Sequence, residues 1–225
     1  MRKLVLFIFI LCLSVPALAA QPKAKKNAVV KQPQTTQPVS PEQNARDIER
    51  IEKYMNGMKS LQAEFTQVSD NGELRHGKME ILRPGRMRIV YDAPSKDFII
   101  ADGNFINIWD GDLQQQTSLP IDANLGDIML RENIKLSGDI TVDNIDRAPA
   151  RIEITLFATK DQGAGKLTLV FEDNPLKLRQ WRVFDAQGRT TSVSLENARE
   201  GVELSSSIFH FTPPNLGKSS KSKDK

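Results

Sequence analysis

Cysteine and histidine are scarce in this chain of 225 residues. The only cysteine is Cys12, and the two histidines, His76 and His210, stand far apart in the sequence. One cysteine cannot form a disulfide within the chain, and neither histidine has neighbours at the spacing of a metal site. We therefore expect no metal ion and no cofactor.

Motifs of catalytic sites are missing as well. The chain has no Gly-x-Ser-x-Gly and no Ser-x-x-Lys with its companion motifs. The segment DQGAGK at 161–166 ends in Gly-Lys but lacks the spacing of a phosphate-binding loop and its following Ser or Thr. Carboxylates are so numerous that a pair of them does not indicate a glycosidase. We predict no catalytic residues and a protein that is not an enzyme.

Long apolar runs are absent except near the N-terminus. An uncharged run at 4–15 follows Arg2 and Lys3 and precedes Ala17-Leu18-Ala19. This pattern predicts a secretory signal peptide over 1–19 that is cleaved after Ala19. The run is shorter than the roughly 20 residues that span a bilayer.

Cys12 lies within the predicted signal peptide and would be removed with it. The bulky residues before it, Phe9-Ile10-Leu11, differ from the small residues that precede a lipid-modified cysteine. An exported chain without disulfides suits a bacterial periplasm. We therefore expect the mature protein in the periplasm.

Positive charge is concentrated at the ends of the chain. The formal net charge is +3, yet residues 1–19 carry +2, residues 20–39 carry +4 and residues 218–225 carry +3, which leaves −6 for residues 40–217. The Pro-, Gln- and Lys-rich segment 20–39 and the Lys- and Ser-rich segment 218–225 are typical of disorder. We predict a disordered linker, one globular domain at 40–217 and a flexible basic tail. A negatively charged domain does not indicate nucleic-acid binding.

Alternation of polar and apolar residues dominates the chain after about residue 60. Before it, Ser40-Pro41 predicts a helix start, and an apolar stripe follows. About ten short strands then follow, separated by turns such as Asp70-Asn71-Gly72. A short amphipathic helix is predicted within 120–133. The pattern predicts an antiparallel sheet that curls into a barrel or half-barrel, with two helices placed to cover its concave face. Whether the interior is open or filled is not indicated.

Arg83 falls in an apolar phase of the predicted strands. Strand side chains alternate between faces, so Arg83 shares a face with Met79 and Ile81. One interpretation is that Pro84-Gly85 shifts the register or that the guanidinium reaches water from the strand end. A functional role is the other interpretation.

Several segments resemble one family in order along the chain. They are FTQVSDNGELRHGKMEILRPGRMRIVYDAP, IIADGNFINIWDGDLQQ, WRVFDAQGRTTSVSLEN and FHFTPP. The shared positions are Phe65-x-Gln67, Gly77, Arg83-Pro84, Asp102-Gly103, Trp109, Asp185-x-x-Gly188 and Phe209-x-Phe211. With these positions the chain resembles the periplasmic outer-membrane lipoprotein carriers, the LolA-like proteins.

The resemblance implies an incomplete antiparallel barrel (a half-barrel) whose hydrophobic concave face is covered by helices. It also implies a chaperone that accepts lipoproteins from an inner-membrane lipoprotein-releasing ABC transporter, binds their acyl chains, and delivers them to an outer-membrane lipoprotein receptor. In such proteins the arginine of the Arg-Pro element holds the lid closed, which makes Arg83 the candidate lid latch. We expect the protein to act as a monomer.

The candidate site combines the resemblance with the strand periodicity. The predicted lipid-binding cavity is lined by Phe65, Met79, Ile81, Met87, Ile89, Tyr91, Ile100, Ile106 and Ile108. The predicted lid helices contribute Ile48, Ile51, Met55, Leu125, Ile128 and Met129. Met87 and Ile89 stand where some family members have aromatic residues. A carrier or sensor of another lipid on the same fold is the alternative, and cargo selectivity and the receptor are not indicated.

Overall fold

The computed structural model describes residues 40–123 and 125–214. The predicted signal peptide, linker and basic tail lie outside the described residues, as do residues 215–217 of the predicted domain. One α-helix, α1, extends over Pro41–Gly57. Eleven strands follow: β1 Ser60–Val68, β2 Leu74–Leu82, β3 Arg86–Tyr91, β4 Phe98–Asp102, β5 Phe105–Asp110, β6 Gln115–Pro120, β7 Ile140–Ala148, β8 Arg151–Ala158, β9 Gly165–Glu172, β10 Lys177–Asp185 and β11 Thr190–Glu200.

The strands form one antiparallel sheet that does not close. Its order is β6-β5-β4-β3-β2-β1-β11-β10-β9-β8-β7, so the pairing of β1 with β11 joins two meanders. Among the described strands, β6 and β7 are edges that do not pair with each other. The predicted incomplete barrel is confirmed. No helix within 40–123 or 125–214 is long and apolar enough to cross a membrane.

Helix α1 begins and ends with identifiable caps. The Ser40 hydroxyl accepts a hydrogen bond from the Gln43 N–H at 3.2 Å, and Pro41 occupies the first turn. At the other end, the Met58 N–H donates to the Tyr54 carbonyl at 3.1 Å. The predicted helix is confirmed.

The segment between β6 and β7 contains two short 3₁₀ helices, Ile121–Ala123 and Leu125–Met129. The predicted helix is therefore in the expected place, but its described residues form 3₁₀ turns and not an α-helix. Pieces of three and five residues are too short to form a cooperative α-helix, and the tighter 3₁₀ form is usual at this length.

A second, smaller apolar cluster lies on the outer face of the sheet. Phe98 stacks on Trp109 with ring centroids 6.2 Å apart, and Phe211 contacts Phe98 at 5.6 Å. A 3₁₀ turn at Ser206–Phe209 contacts β3 and β4 and buries Phe209. The C-terminal segment therefore covers the back of this part of the sheet.

The prediction that Ile100 lines the concave face is wrong. Ile100 lies opposite Arg88 on one neighbouring strand and opposite Asn107 on the other, and directly opposed residues share a face. Ile99 takes the inner position instead, opposite Ile89. Ile100 is buried because the outer face is also covered here.

A candidate lipid-binding face and its lid

The inner face of the sheet is a continuous apolar surface. Met79 lies opposite Ile89, and Ile81 lies opposite Met87, so these side chains share one face across β2 and β3. The other predicted lining residues on this face are Phe65, Tyr91, Ile106 and Ile108. All eight belong to or pack against one core cluster that extends into both halves of the sheet.

The lid over this face consists of α1 and the segment 125–136. From α1, Ile51 and Met55 are fully buried and Ile48 packs against the core. From the segment, Ile128 and Met129 are buried, and Leu125 is half-buried. Leu130, Ile134 and Leu136, which the sequence pattern did not single out, are buried with them. In this conformation the apolar side chains of the lid pack against the inner face of the sheet.

Arg83 contacts both parts of the lid. Its Nη1 donates hydrogen bonds to the carbonyls of Met55 and Met58, the second at 3.0 Å. Its Nε donates to the Arg131 carbonyl at 2.9 Å, and Nη2 donates to the Glu132 carbonyl at 3.4 Å. The residue is 6% exposed, so the interpretation that its guanidinium reaches water is wrong.

The Arg83 contacts follow from the chemistry of helix ends. The last carbonyls of a helix have no partner within it, and a cation near them is favourable. The turn before β3 brings the residue there, because Arg83 N–H donates to the Lys59 carbonyl at 2.9 Å and Gly85 N–H donates to the Leu130 carbonyl at 2.8 Å. Burial lowers the pKa of Arg83, but a guanidinium stays charged.

Two polar residues of α1 join it to the rest of the lid. Asn56 Nδ2 donates to the Ile134 carbonyl at 2.9 Å, and Asn56 Oδ1 accepts from the Ile134 N–H at 2.8 Å. Glu52 accepts a hydrogen bond from the Leu136 N–H at 2.7 Å. These contacts make α1 and the segment 125–136 one connected unit. The sequence pattern did not reveal them, because their partners are backbone groups about 80 residues away.

The N-terminal half of α1 is fixed to the opposite half of the sheet by charge. Asp47 is fully buried and forms an ion pair with Arg147 of β7. Arg50 Nη1 lies 3.4 Å from Asp47 Oδ1, and Arg50 Nη2 lies 2.6 Å from Asp173 Oδ1. Sequence reasoning missed this group, since an aspartate on a helix usually faces water.

Tyr54 adds a third contact between α1 and the sheet. Its hydroxyl donates to Glu200 of β11 and accepts from the Leu178 N–H at 3.0 Å. Burial and the hydrogen bond to Glu200 raise the pKa of Tyr54. Glu200 and Leu178 belong to the same half of the sheet as Arg147, so α1 is held to this half at both Asp47 and Tyr54.

The histidine next to a hydroxyl does not form a catalytic arrangement. Thr66 Oγ1 lies 3.0 Å from His76 Nδ1 but donates its proton to Glu196 at 2.6 Å. A nucleophile would need the histidine as its acceptor and the carboxylate behind the histidine. In the part of the chain that the structure describes, no three His, Cys, Asp or Glu side chains are grouped as metal ligands.

The structure is an open half-barrel whose apolar inner face is covered by a lid that polar contacts hold in place. A family model described as outer membrane lipoprotein carrier protein LolA matches residues 56–212, and the chain belongs to this family.

Curated relatives carry the corresponding name at modest identity. The outer-membrane lipoprotein carrier protein of Methylococcus capsulatus is 26% identical over 173 residues, which cover 73% of this chain and 83% of the relative. That of Dechloromonas aromatica is 29% identical over 181 residues, covering 76% and 86%. Among solved structures, a LolA superfamily protein from Nitrosomonas europaea aligns with a TM-score of 0.43 at 10% identity, over 73% of this chain and 97% of that one.

Proposed function

We propose that this protein binds the acyl chains of lipoproteins released from the inner membrane and carries them through the periplasm to the outer membrane. The observation that supports this most is the continuous apolar inner face, covered by a lid that Arg83 holds through backbone carbonyls. The names of the curated relatives support the same cargo.

The proposal follows from the cost of exposing acyl chains to water. Each CH₂ group removed from water contributes about 0.8 kcal/mol, so a cargo with several chains needs an apolar container. Here the apolar side chains of the lid cover the inner face. Cargo must therefore displace residues such as Met55 and Ile128, and the lid must exist in a closed and an open state.

Arg83 is the proposed latch between these states. In the closed state it satisfies carbonyls of both lid parts and has no carboxylate among its hydrogen-bond partners in the described residues. A buried cation paired only with neutral groups keeps part of its desolvation cost. The closed state is thus held firmly enough to expel cargo but weakly enough to open.

The partners and compartment extend the proposal. We expect loading from an inner-membrane lipoprotein-releasing ABC transporter, delivery to an outer-membrane lipoprotein receptor, and a periplasmic monomer without catalytic activity. The predicted signal peptide supports the compartment.

Native mass spectrometry of the protein isolated from periplasm tests this function. A triacylated lipoprotein bound at one copy per chain is the expected result. Met87→Trp should lower the bound fraction because it fills the inner face, whereas Arg88→Trp, one residue on and facing outward, should not. Free phospholipid alone would favour the carrier of another lipid, and no bound lipid would overturn both.

A further inference from the structure

The end of the inner face opposite the Arg83 latch also carries an arginine. Arg75 lies near the start of β2, opposite Gln67 of β1, in the same phase as Met79 and Ile81. Arg83 follows directly after the other end of β2. At a rise of about 3.4 Å per residue, the two arginines bracket roughly 27 Å of apolar strand.

Arg75 is fixed within a polar cluster that we call the polar end: Arg75, Gln67, Tyr91, Ser95 and Asp97. The guanidinium carbon lies 3.8 Å from the ring centroid of Tyr91, and Nη2 donates to Ser95 at 2.9 Å and to Asp97. The Tyr91 hydroxyl donates to Gln67 at 2.9 Å, and both of these residues are buried. The arginine is therefore preorganised beside the apolar face.

The two arginines differ in the donors that they leave free. All three nitrogens of Arg83 donate to lid carbonyls. Among the described residues, only Nη2 of Arg75 has an acceptor, so Nε and Nη1 are available. The Arg75 side chain is 19% exposed, so part of it remains accessible to a ligand.

We propose that the polar end binds the ester carbonyl groups that join the acyl chains to the glyceryl part of a lipidated cargo. This rests on the proposed function. Carbonyl oxygens drawn out of water with the chains need a donor, or their desolvation weakens binding. A guanidinium supplies charge-assisted hydrogen bonds, and the Tyr91 ring holds its plane in position. Acyl chains anchored at Arg75 would extend along β2 toward Met79 and Ile81.

The test compares two ligands and three proteins. The affinity for a fluorescent triacylated lipopeptide with ester-linked chains is measured by titration. The same titration is repeated with a lipopeptide whose chains are ether-linked and therefore lack the carbonyl oxygens. The wild type should bind the ester form about tenfold more tightly, as expected for a charge-assisted hydrogen bond. Arg75→Met keeps an unbranched aliphatic side chain without the guanidinium and should remove the preference. Arg88→Met removes the same charge from the outer face and should retain it.

The outcomes separate this inference from the function on which it rests. Equal binding of both ligands by the wild type, or an unchanged preference in Arg75→Met, overturns the role of Arg75 while leaving the carrier function intact. Failure of the wild type to bind either lipopeptide overturns both. If Arg75→Met unfolds, Arg75→Met/Asp97→Asn removes the unpaired carboxylate and gives the same comparison.

Discussion

The two halves of the sheet line the same interior with different side chains. On β2 and β3 the inner face combines Met79 and Met87 with Ile81 and Ile89, and the lid above adds Met55 and Met129. On β8 and β9 the inner face is made of Ile152, Ile154, Leu156, Leu167, Leu169 and Phe171. Methionine is unbranched and adapts to irregular contacts, whereas branched side chains pack in few rotamers. We infer that the first half reshapes around acyl chains while the second half is a rigid floor.

The contacts of α1 follow the same division. Its N-terminal half is held to the rigid floor by the buried Asp47–Arg147 ion pair, and its C-terminal end is held by Arg83. The Arg83 contacts involve only hydrogen bonds to carbonyls. We therefore expect the lid to open by losing the Arg83 and Tyr54 hydrogen bonds first and turning about the Asp47 end.

The largest expected effect comes from a cavity in the rigid floor. Ile154→Ala should lower the free energy of unfolding by about 4 kcal/mol, whereas Met87→Ala should cost about 2 kcal/mol because flexible neighbours fill the space. Urea denaturation measures both. Equal losses would contradict the assignment of a rigid and an adaptable half.

Loss of the ion pair at the Asp47 end of α1 is expected to have the second largest effect on stability. Arg147→Met leaves the fully buried Asp47 carboxylate without its main partner and should cost about 3 kcal/mol. Asp47→Asn in the same protein should recover more than half of that loss. Arg179→Met breaks an exposed pair with Glu172 and should cost less than about 1 kcal/mol. Similar losses for Arg147→Met and Arg179→Met would exclude a special anchor at Asp47.

The link between the two lid parts should have a smaller but local effect. Asn56→Ala leaves the Ile134 N–H and carbonyl without their side-chain partners, which should cost about 1–2 kcal/mol. Hydrogen exchange at 134–136 should accelerate more than exchange in β8 or β9. Lys53→Ala, at an exposed position of α1, is the control and should change neither quantity. Uniform acceleration across the sheet would show that the lid is not a separate unit.

The smallest expected effect is a dependence of stability on pH that comes from the ionisation of the two tyrosines. Burial raises the pKa of Tyr91 to about 12, and burial also raises the pKa of Tyr54. Since the raised pKa favours the neutral phenol, the stability contributed by Tyr91 is complete below the unfolded value near 10 and is lost between pH 10 and about 12. Native protein at pH 10.5 should show little tyrosinate absorbance at 295 nm, and denatured protein should show most of it. A full native signal at that pH would contradict the burial of both rings.

Strand alternation was sufficient to predict most of the inner face, because an apolar phase on a curved sheet has only one side to bury. It indicated the face that Met87 and Ile89 share, and it marked Arg83 as unusual. It failed at Ile99-Ile100, because two adjacent apolar residues do not show which of them faces inward. Both are buried, since the C-terminal Phe209 and Phe211 cover the outer face of the sheet here.

The polar contacts of the lid could not be predicted from local pattern. Asn56 and Glu52 bond backbone groups that only the tertiary fold brings near them, and Asp47 meets Arg147 across 100 residues of sequence. Arg75 could have been recognised, since it shares the phase of Met79 and Arg83. Its position at a strand end near a turn made it resemble an ordinary solvated residue.

The central claim is that Arg83 stabilises the closed, empty lid. The most direct measurement loads purified protein with a fluorescent triacylated lipopeptide and follows release to an acceptor membrane carrying the outer-membrane receptor. Arg83→Leu should load normally but release at least tenfold more slowly, because the empty state loses four hydrogen bonds from a charged group. Arg88→Leu, which breaks only an outer-face pair with Glu80, should release like the wild type. Normal release from Arg83→Leu would contradict the account.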